Sequence, residues 1–214
     1  MLRSTRKKDA EGGVHPTKQR LVEETARLIM REGLESVHVD EVLAAVGVTQ
    51  GSLYHHFGSV NGLLFAGLLH AFEAAVRESE AWSLSLRDDC RTAREARDRL
   101  HEIVDASQIP GRRLMRSVRL HSLSMARTEP AIAGEIARLQ AGLTDTLTGV
   151  YREFQQRGWA RSDFDSRALA VLVQAMNLGR IVDDVVDDRD RVDSSAWIEL
   201  YNHVLDGFFV IEDD

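Results

Sequence analysis

The sequence predicts an all-α protein of about nine helices, and two observations carry that prediction. Only three prolines, Pro16, Pro110 and Pro130, interrupt 214 residues. No long stretch alternates apolar with polar residues as a half-buried strand would. The composition, 43% hydrophobic and 29% charged, belongs to a globular chain rather than a disordered one.

Taken in order, Pro16 and Thr17 open a first helix on which Leu21, Thr25, Leu28 and Ile29 share a face, and Gly33 stands where a C-terminal cap belongs. A short helix over residues 39–46, the pair Gly47-Val48 and a second short helix over 49–57 read as helix, turn, helix. Ser59 caps a longer helix in which Leu63, Leu64, Leu68, Phe72 and Val76 keep a helical period to about residue 80, enough to join two domains. Further helices are predicted over residues 89–107, 112–127, 131–157, 166–186 and 194–210, separated by Pro110-Gly111, Glu129-Pro130 and Gly158. The last two are apolar on more than one side, which predicts a dimer interface built from them. The expected organisation is a loose basic arm over 1–15, a helix-turn-helix domain over 16–62 and a second helical domain over 63–214.

Charge divides the chain in the same place. The net charge is -7, yet the first 70 residues hold eight basic and eight acidic side chains, so the whole excess lies downstream. All three lysines and five of the eight histidines fall in those first 70 residues. The two parts are expected to meet different partners.

Several function classes drop out. The single cysteine, Cys90, excludes an intrachain disulfide and a multi-cysteine zinc site. The longest apolar run, Ala168–Val173, falls far short of the roughly 20 residues that span a bilayer. Arg3, Arg6, Lys7 and Lys8 lead into Asp9 and Glu11 without the apolar stretch of a secretory signal, so a cytoplasmic location is expected. There is no Gly-rich phosphate loop, no Gly-x-Ser-x-Gly and no supported nucleophile, so no catalytic residue and no cofactor are expected. His55 and His56 point about 100° apart on a helix and lack a third ligand. The acids Asp183, Asp184, Asp187, Asp188, Asp190 and Asp193 lack the glycine and closing Glu of a calcium loop, and Arg180, Arg189 and Arg191 stand ready to pair with them. A solvated or interfacial charge cluster is expected there, not a metal site; a metal-dependent helical enzyme is the rival reading.

Residues 39–57, VDEVLAAVGVTQGSLYHHF, carry the informative chemistry. Val42 and Val46 pack inward against Leu53, Gly47 makes the sharp turn, and the second helix offers its N-terminal residues to a DNA groove. Thr49 suits the N-cap, Gly51 and Ser52 keep the approach to DNA open, and the Gln50 amide suits a base edge. Tyr54, His55 and His56 have the size and polarity for phosphates, and Lys18 and His38 join the candidate DNA contacts. The bland alternative is an ordinary polar helix surface.

The run Gly47-Val48-Thr49-Gln50-Gly51-Ser52-Leu53-Tyr54-His55-His56-Phe57 resembles the DNA-binding domain of the TetR family of bacterial transcriptional regulators, over about residues 17–65. That resemblance implies a homodimer that binds an inverted-repeat DNA operator and is released, most commonly as a repressor, when a small molecule binds among the downstream helices. In one respect the chain departs from the pattern. Members commonly carry a phosphate-contacting Lys where this chain has Val60, a loss that flattens the salt dependence of binding by roughly one unit of slope. Arg3, Arg6, Lys7 and Lys8 of the basic arm are expected to compensate by reaching an adjacent groove or backbone. A related protein with weakened or lost DNA binding is therefore the alternative.

The effector is expected to be apolar or amphipathic. The candidate lining is Phe72, Trp82, Met115, His121, Met125, Tyr151, Phe154, Met176 and Asn177, with Arg119 and Arg116 available to an acidic head group. His121, Tyr151 and Asn177 are the sharper candidates, because a polar group on an apolar face needs a partner.

Overall fold

The computed structural model describes residues 15–107 and 110–211; the arm with Arg3, Arg6, Lys7 and Lys8 lies outside them. The described residues form α1 (Pro16–Glu32), a 3-10 turn (Leu34–Ser36), α2 (Val39–Val46), α3 (Gln50–Phe57), α4 (Val60–Asp89), α5 (Ala93–Ser107), α6 (Pro110–Met125), α7 (Pro130–Gln156), α8 (Ser166–Gly179), the one-turn α9 (Ile181–Asp184), a 3-10 turn (Asp188–Asp190) and α10 (Ser194–Asp206). The fold is all-α, as predicted.

Local chemistry explains the boundaries. His15 precedes α1, and its Nδ1 accepts from the Thr17 N–H at 3.2 Å, while Pro16 occupies the first turn, where its missing N–H costs nothing. Gly47 and Gly58 end α2 and α3 at φ 72° and 73°, the left-handed region where a side chain is disfavoured, so the two glycines fix both ends of the second short helix. The Ser59 hydroxyl accepts from the Gly62 N–H at 3.0 Å and starts α4.

Three groups of apolar side chains stack along the molecule. The first, Leu21, Leu28, Val42, Leu43, Val46, Leu53 and Leu63, closes α1, α2, α3 and the start of α4 around themselves. The second, Ala26, Ile29, Leu68, Ala71 and Val118, joins α1 and α4 to α6. The third and largest fills the space between α4, α5, α7, α8 and α10, with Phe72, Ile136, Leu143, Phe154 and Tyr201 at its centre. At Gly67 a β-carbon would stand 2.4 Å from Thr25 Cγ2, so α1 and α4 meet at a distance only glycine permits.

Several boundaries differ from the sequence reading. Helix α4 runs on to Asp89, because Trp82, Ser83 and Leu86 continue its inward stripe. Pro110 and Pro130 begin α6 and α7 instead of lying in the gaps before them. The helix expected over 166–186 breaks at Arg180, which is buried with its guanidinium 5.4 Å from the Trp197 ring and donates to Ser194 Oγ at 3.2 Å. Helix α10 stops at Asp206, and the chain beyond it pairs with the turn after α7, Arg161 N donating to Phe208 O and Val210 N to Trp159 O.

Candidate functional site

Two sites emerge, one on the surface of the first apolar cluster and one inside the third. On the surface, Leu53 is the residue of α3 that is sealed into the core, which turns Gln50, Gly51, Tyr54 and His55 outward along the opposite face. Thr49 occupies the N-cap, although its hydroxyl makes no bond to the helix. Ser52 and His56 are half-buried beside that face. The start of α1 joins its edge, with the His15 ring 4.8 Å from that of His56, which in turn lies 5.0 Å from His55. Lys18 sits with its ammonium 5.8 Å from the Phe57 ring. Burial first, then the neighbouring His15, His55 and Lys18, hold the His56 imidazole below its ordinary value. His38 is exposed at the N-cap of α2. A guanidinium N–H of Arg20 donates to Val46 O at 2.7 Å, tying α1 to the carbonyl end of α2. This tie, and the place of His15, were missed by the sequence reading.

A β-carbon built on Gly51 meets nothing of the protein closer than Thr49 Oγ1 at 3.6 Å. The fold itself therefore has room for a side chain at that exposed position.

The interior site is a cavity of about 170 Å³ between α4, α5, α6, α7, α8 and α10. Of the residues expected to line it, Met115, Arg119, Tyr151 and Asn177 do, as do Trp82 and Arg116. The other five lie elsewhere. Phe72 is fully buried in the core one turn before the lining stripe of α4 begins at Ala75. Phe154 packs on Trp159 and Phe209, and Met125 and Met176 pack against the core. His121 already has a protein partner, its Nε2 lying 2.9 Å from Glu35 Oε1 in the turn after α1.

Polar groups of the cavity are mostly spoken for. Arg112 makes a two-pronged contact with Glu78 at 2.5 and 2.8 Å, and Arg116 another with Asp184 at 2.6 and 2.8 Å. The Arg112 guanidinium holds the Glu78 carboxyl below the usual carboxylate range. Burial pushes the Tyr151 phenol well above its ordinary value, so it stays protonated. Gln140 and Gln174 form an amide pair that the sequence reading passed over. Gln174 gave a signal, since it interrupts the longest apolar run of the chain.

The acidic stretch is absorbed by the protein. Asp184 takes Arg116 and Arg113, Asp188 pairs with Arg191, Asp183 accepts from the Val192 N–H, and Asp193 caps α10 by accepting from Ser195 and Ala196.

Residues 21–66 match the bacterial regulatory proteins of the tetR family. No curated protein matches the sequence. The fold resembles that of a structure from Saccharomonospora viridis described as a transcriptional regulator in complex with choline, at 22% identity and a TM-score of 0.68 over 91% of this chain and 98% of that one. It also resembles a TetR-family regulator from Cytophaga hutchinsonii, at 18% identity and a TM-score of 0.68 over 94% and 100% of the two chains. A TetR-family regulator from Pectobacterium atrosepticum compares at 19% identity and a TM-score of 0.61 over 92% and 96%. No single helix among the described residues is long and apolar enough to cross a membrane. The helix-turn-helix segment, residues 21–66, is that of the tetR family of bacterial regulatory proteins.

Proposed function

We propose that the chain is a homodimeric repressor that binds an inverted-repeat operator in the cytoplasm and is released when a small apolar or amphipathic molecule enters the cavity. The observation that carries this reading is the placement of α6. Val118 packs on Ala26 and Ile29 of α1, while Met115, Arg116 and Arg119 of the same helix line the cavity. Occupancy of the cavity and the position of the helix-turn-helix segment thus share one rigid element. Linkage then requires that the effector bind the non-DNA conformation better, by the same factor as DNA affinity falls.

The DNA contacts are assigned to Gln50 at a base edge, to Lys18, Tyr54, His55 and His56 at phosphates, and to Thr49, Ser52 and His38 at the margins. Gly51, exposed and with room for a side chain, makes sense as the place where DNA comes closest. The domains divide near residue 62. The dimer forms through α8 and α10, whose Val171, Leu172, Leu200 and Val204 are exposed apolar residues.

The test is selection from a randomised duplex library at low salt, followed by a salt titration on the selected sequence. An inverted repeat bound with a steep salt slope supports the reading. A folded dimer that enriches no sequence, with or without candidate effectors, overturns it in favour of a relative that has lost DNA binding, for which Val60 is the first residue to revert to Lys. Choline, held by the Saccharomonospora viridis structure, is a poor candidate here because the cavity wall carries the cation Arg119.

A further inference from the structure

Three arginines of α6 reach the cavity, at positions 112, 116 and 119, and their circumstances differ. The first two are each neutralised by a carboxylate held in a fork, Glu78 and Asp184. Arg119 has none. Its Nε is fully buried without an acceptor, and among the described residues no carboxylate forms an ion pair with it. Its Nη2 reaches only amide oxygens, Gln140 Oε1 at 3.4 Å and Gln174 Oε1 at 3.5 Å, the outer edge of hydrogen-bond range.

Those amides are engaged with each other. Gln174 Oε1 accepts from Gln140 Nε2 at 2.7 Å, and Gln174 Nε2 donates to Thr144 Oγ1 at 3.2 Å and Ala170 O at 3.1 Å. The amide network meets the guanidinium only through these two long contacts to Nη2 and offers no acceptor to Nε. Burial pulls Arg119 below the usual arginine value, yet a guanidinium stays charged in a protein. An uncompensated buried cation is disfavoured unless something supplies the opposite charge. The remaining wall, including Leu100, Val104, Leu143, Leu147 and Val173, is apolar.

Size narrows the occupant. An engineered apolar cavity of about 150 Å³ accepts benzene, and this one measures about 170 Å³.

We propose that the effector is a small organic acid, its carboxylate seated on the open fork of Arg119 beside Gln140 and Gln174 and its apolar body, on the scale of one six-membered ring, packed against Leu100, Leu143 and Val173. This rests on the reading of the cavity as the effector site. It separates Arg119, which is free to receive an anion, from Arg116, which is not.

The experiment is calorimetric titration and thermal unfolding of the full chain with benzoate, cyclohexanecarboxylate and hexanoate. Each acid is set against its primary amide, and sodium sulfate and tetramethylammonium serve as charge controls. At least one acid is expected to bind with its amide about tenfold or more weaker, and neither control ion to raise Tm. Arg119→Met keeps an unbranched apolar stem, shorter than arginine, and removes the charge. It is expected to lose about tenfold or more in acid affinity, to retain the amide, and without ligand to melt at least about 3 °C above the wild type. Amides that match their acids, a panel in which no acid binds, or an Arg119→Met variant that melts below the wild type would each overturn the proposal. Sulfate binding as well as the acids would overturn the apolar half of it. Adding the selected operator separates this claim from the regulator reading. Acids that bind but leave the DNA complex intact uphold the anion site and defeat the effector role, whereas neutral compounds that release DNA while no acid binds do the reverse.

Discussion

The helix-turn-helix segment and the cavity region handle polar side chains in opposite ways. Around α3 the apolar residues close a small core and the polar ones, Gln50, Tyr54 and His55, face water. Around the cavity the polar groups are inside, and one of them, Arg119, is left without its counter-charge among the described residues. The exposed polar face of α3 is made within one short helix, Gln50–Phe57, and its neighbours in sequence. The cavity is assembled from helices far apart in the chain.

This contrast can be broken by asking whether the two regions melt together. Leu53 is almost fully buried, and Leu53→Ala is expected to cost about 2–5 kcal/mol. If the regions are as separate as their cores, hydrogen exchange will report the loss in α1, α2 and α3 while α7 and α8 stay protected; uniform loss would mean one cooperative unit. Gly67→Ala places a β-carbon against Thr25 at the α1–α4 crossing and is expected to cost about 1–3 kcal/mol. Because that crossing joins the two regions, its effect should reach both DNA affinity and thermal stability.

Smaller changes sharpen the comparison. Ser59→Ala removes the hydroxyl that accepts from the Gly62 N–H and should cost about 1 kcal/mol, read as fraying at the start of α4 with ligand binding unchanged. Glu78→Gln dismantles the fork with Arg112; both side chains are partly exposed, so the cost at neutral pH should stay under about 1 kcal/mol. The sign follows from the lowered Glu78 value. Its contribution is fully present above the ordinary carboxylate value of 4.5 and is lost as pH falls through its own lower one. The difference between wild type and Glu78→Gln in thermal unfolding should therefore shrink below about pH 4.5. A difference that persists in acid would mean the fork is held by something other than charge.

How much was legible in the sequence follows the same division. The turn at Gly47, the caps at Thr49 and Ser59 and the inward Leu53 all depend on neighbours a few residues away, and the sequence displays them directly. Arg116 and Arg119 look alike in sequence, and nothing local tells which is satisfied. The answer lies at Asp184, 68 residues from Arg116, which the break at Arg180 brings into reach. His121 was read as awaiting a ligand because Glu35 was out of view in the turn after α1. Met125, Met176, Phe72 and Phe154 share the residue types of a pocket wall but face the core, and side-chain type alone does not say which way an interior residue points.

The unbroken α4 sets a gearing between the two sites. From Ala75, where it first lines the cavity, back to Ser59, where it meets the end of α3, the chain climbs sixteen residues, or about 24 Å of helix axis at 1.5 Å per residue. With the pivot at the cavity, a swing of about 8° carries Ser59 roughly 3.4 Å, the rise of one base step along a DNA strand. On the proposed function, an occupant no larger than a ring needs no further amplification to displace α3 by one base step.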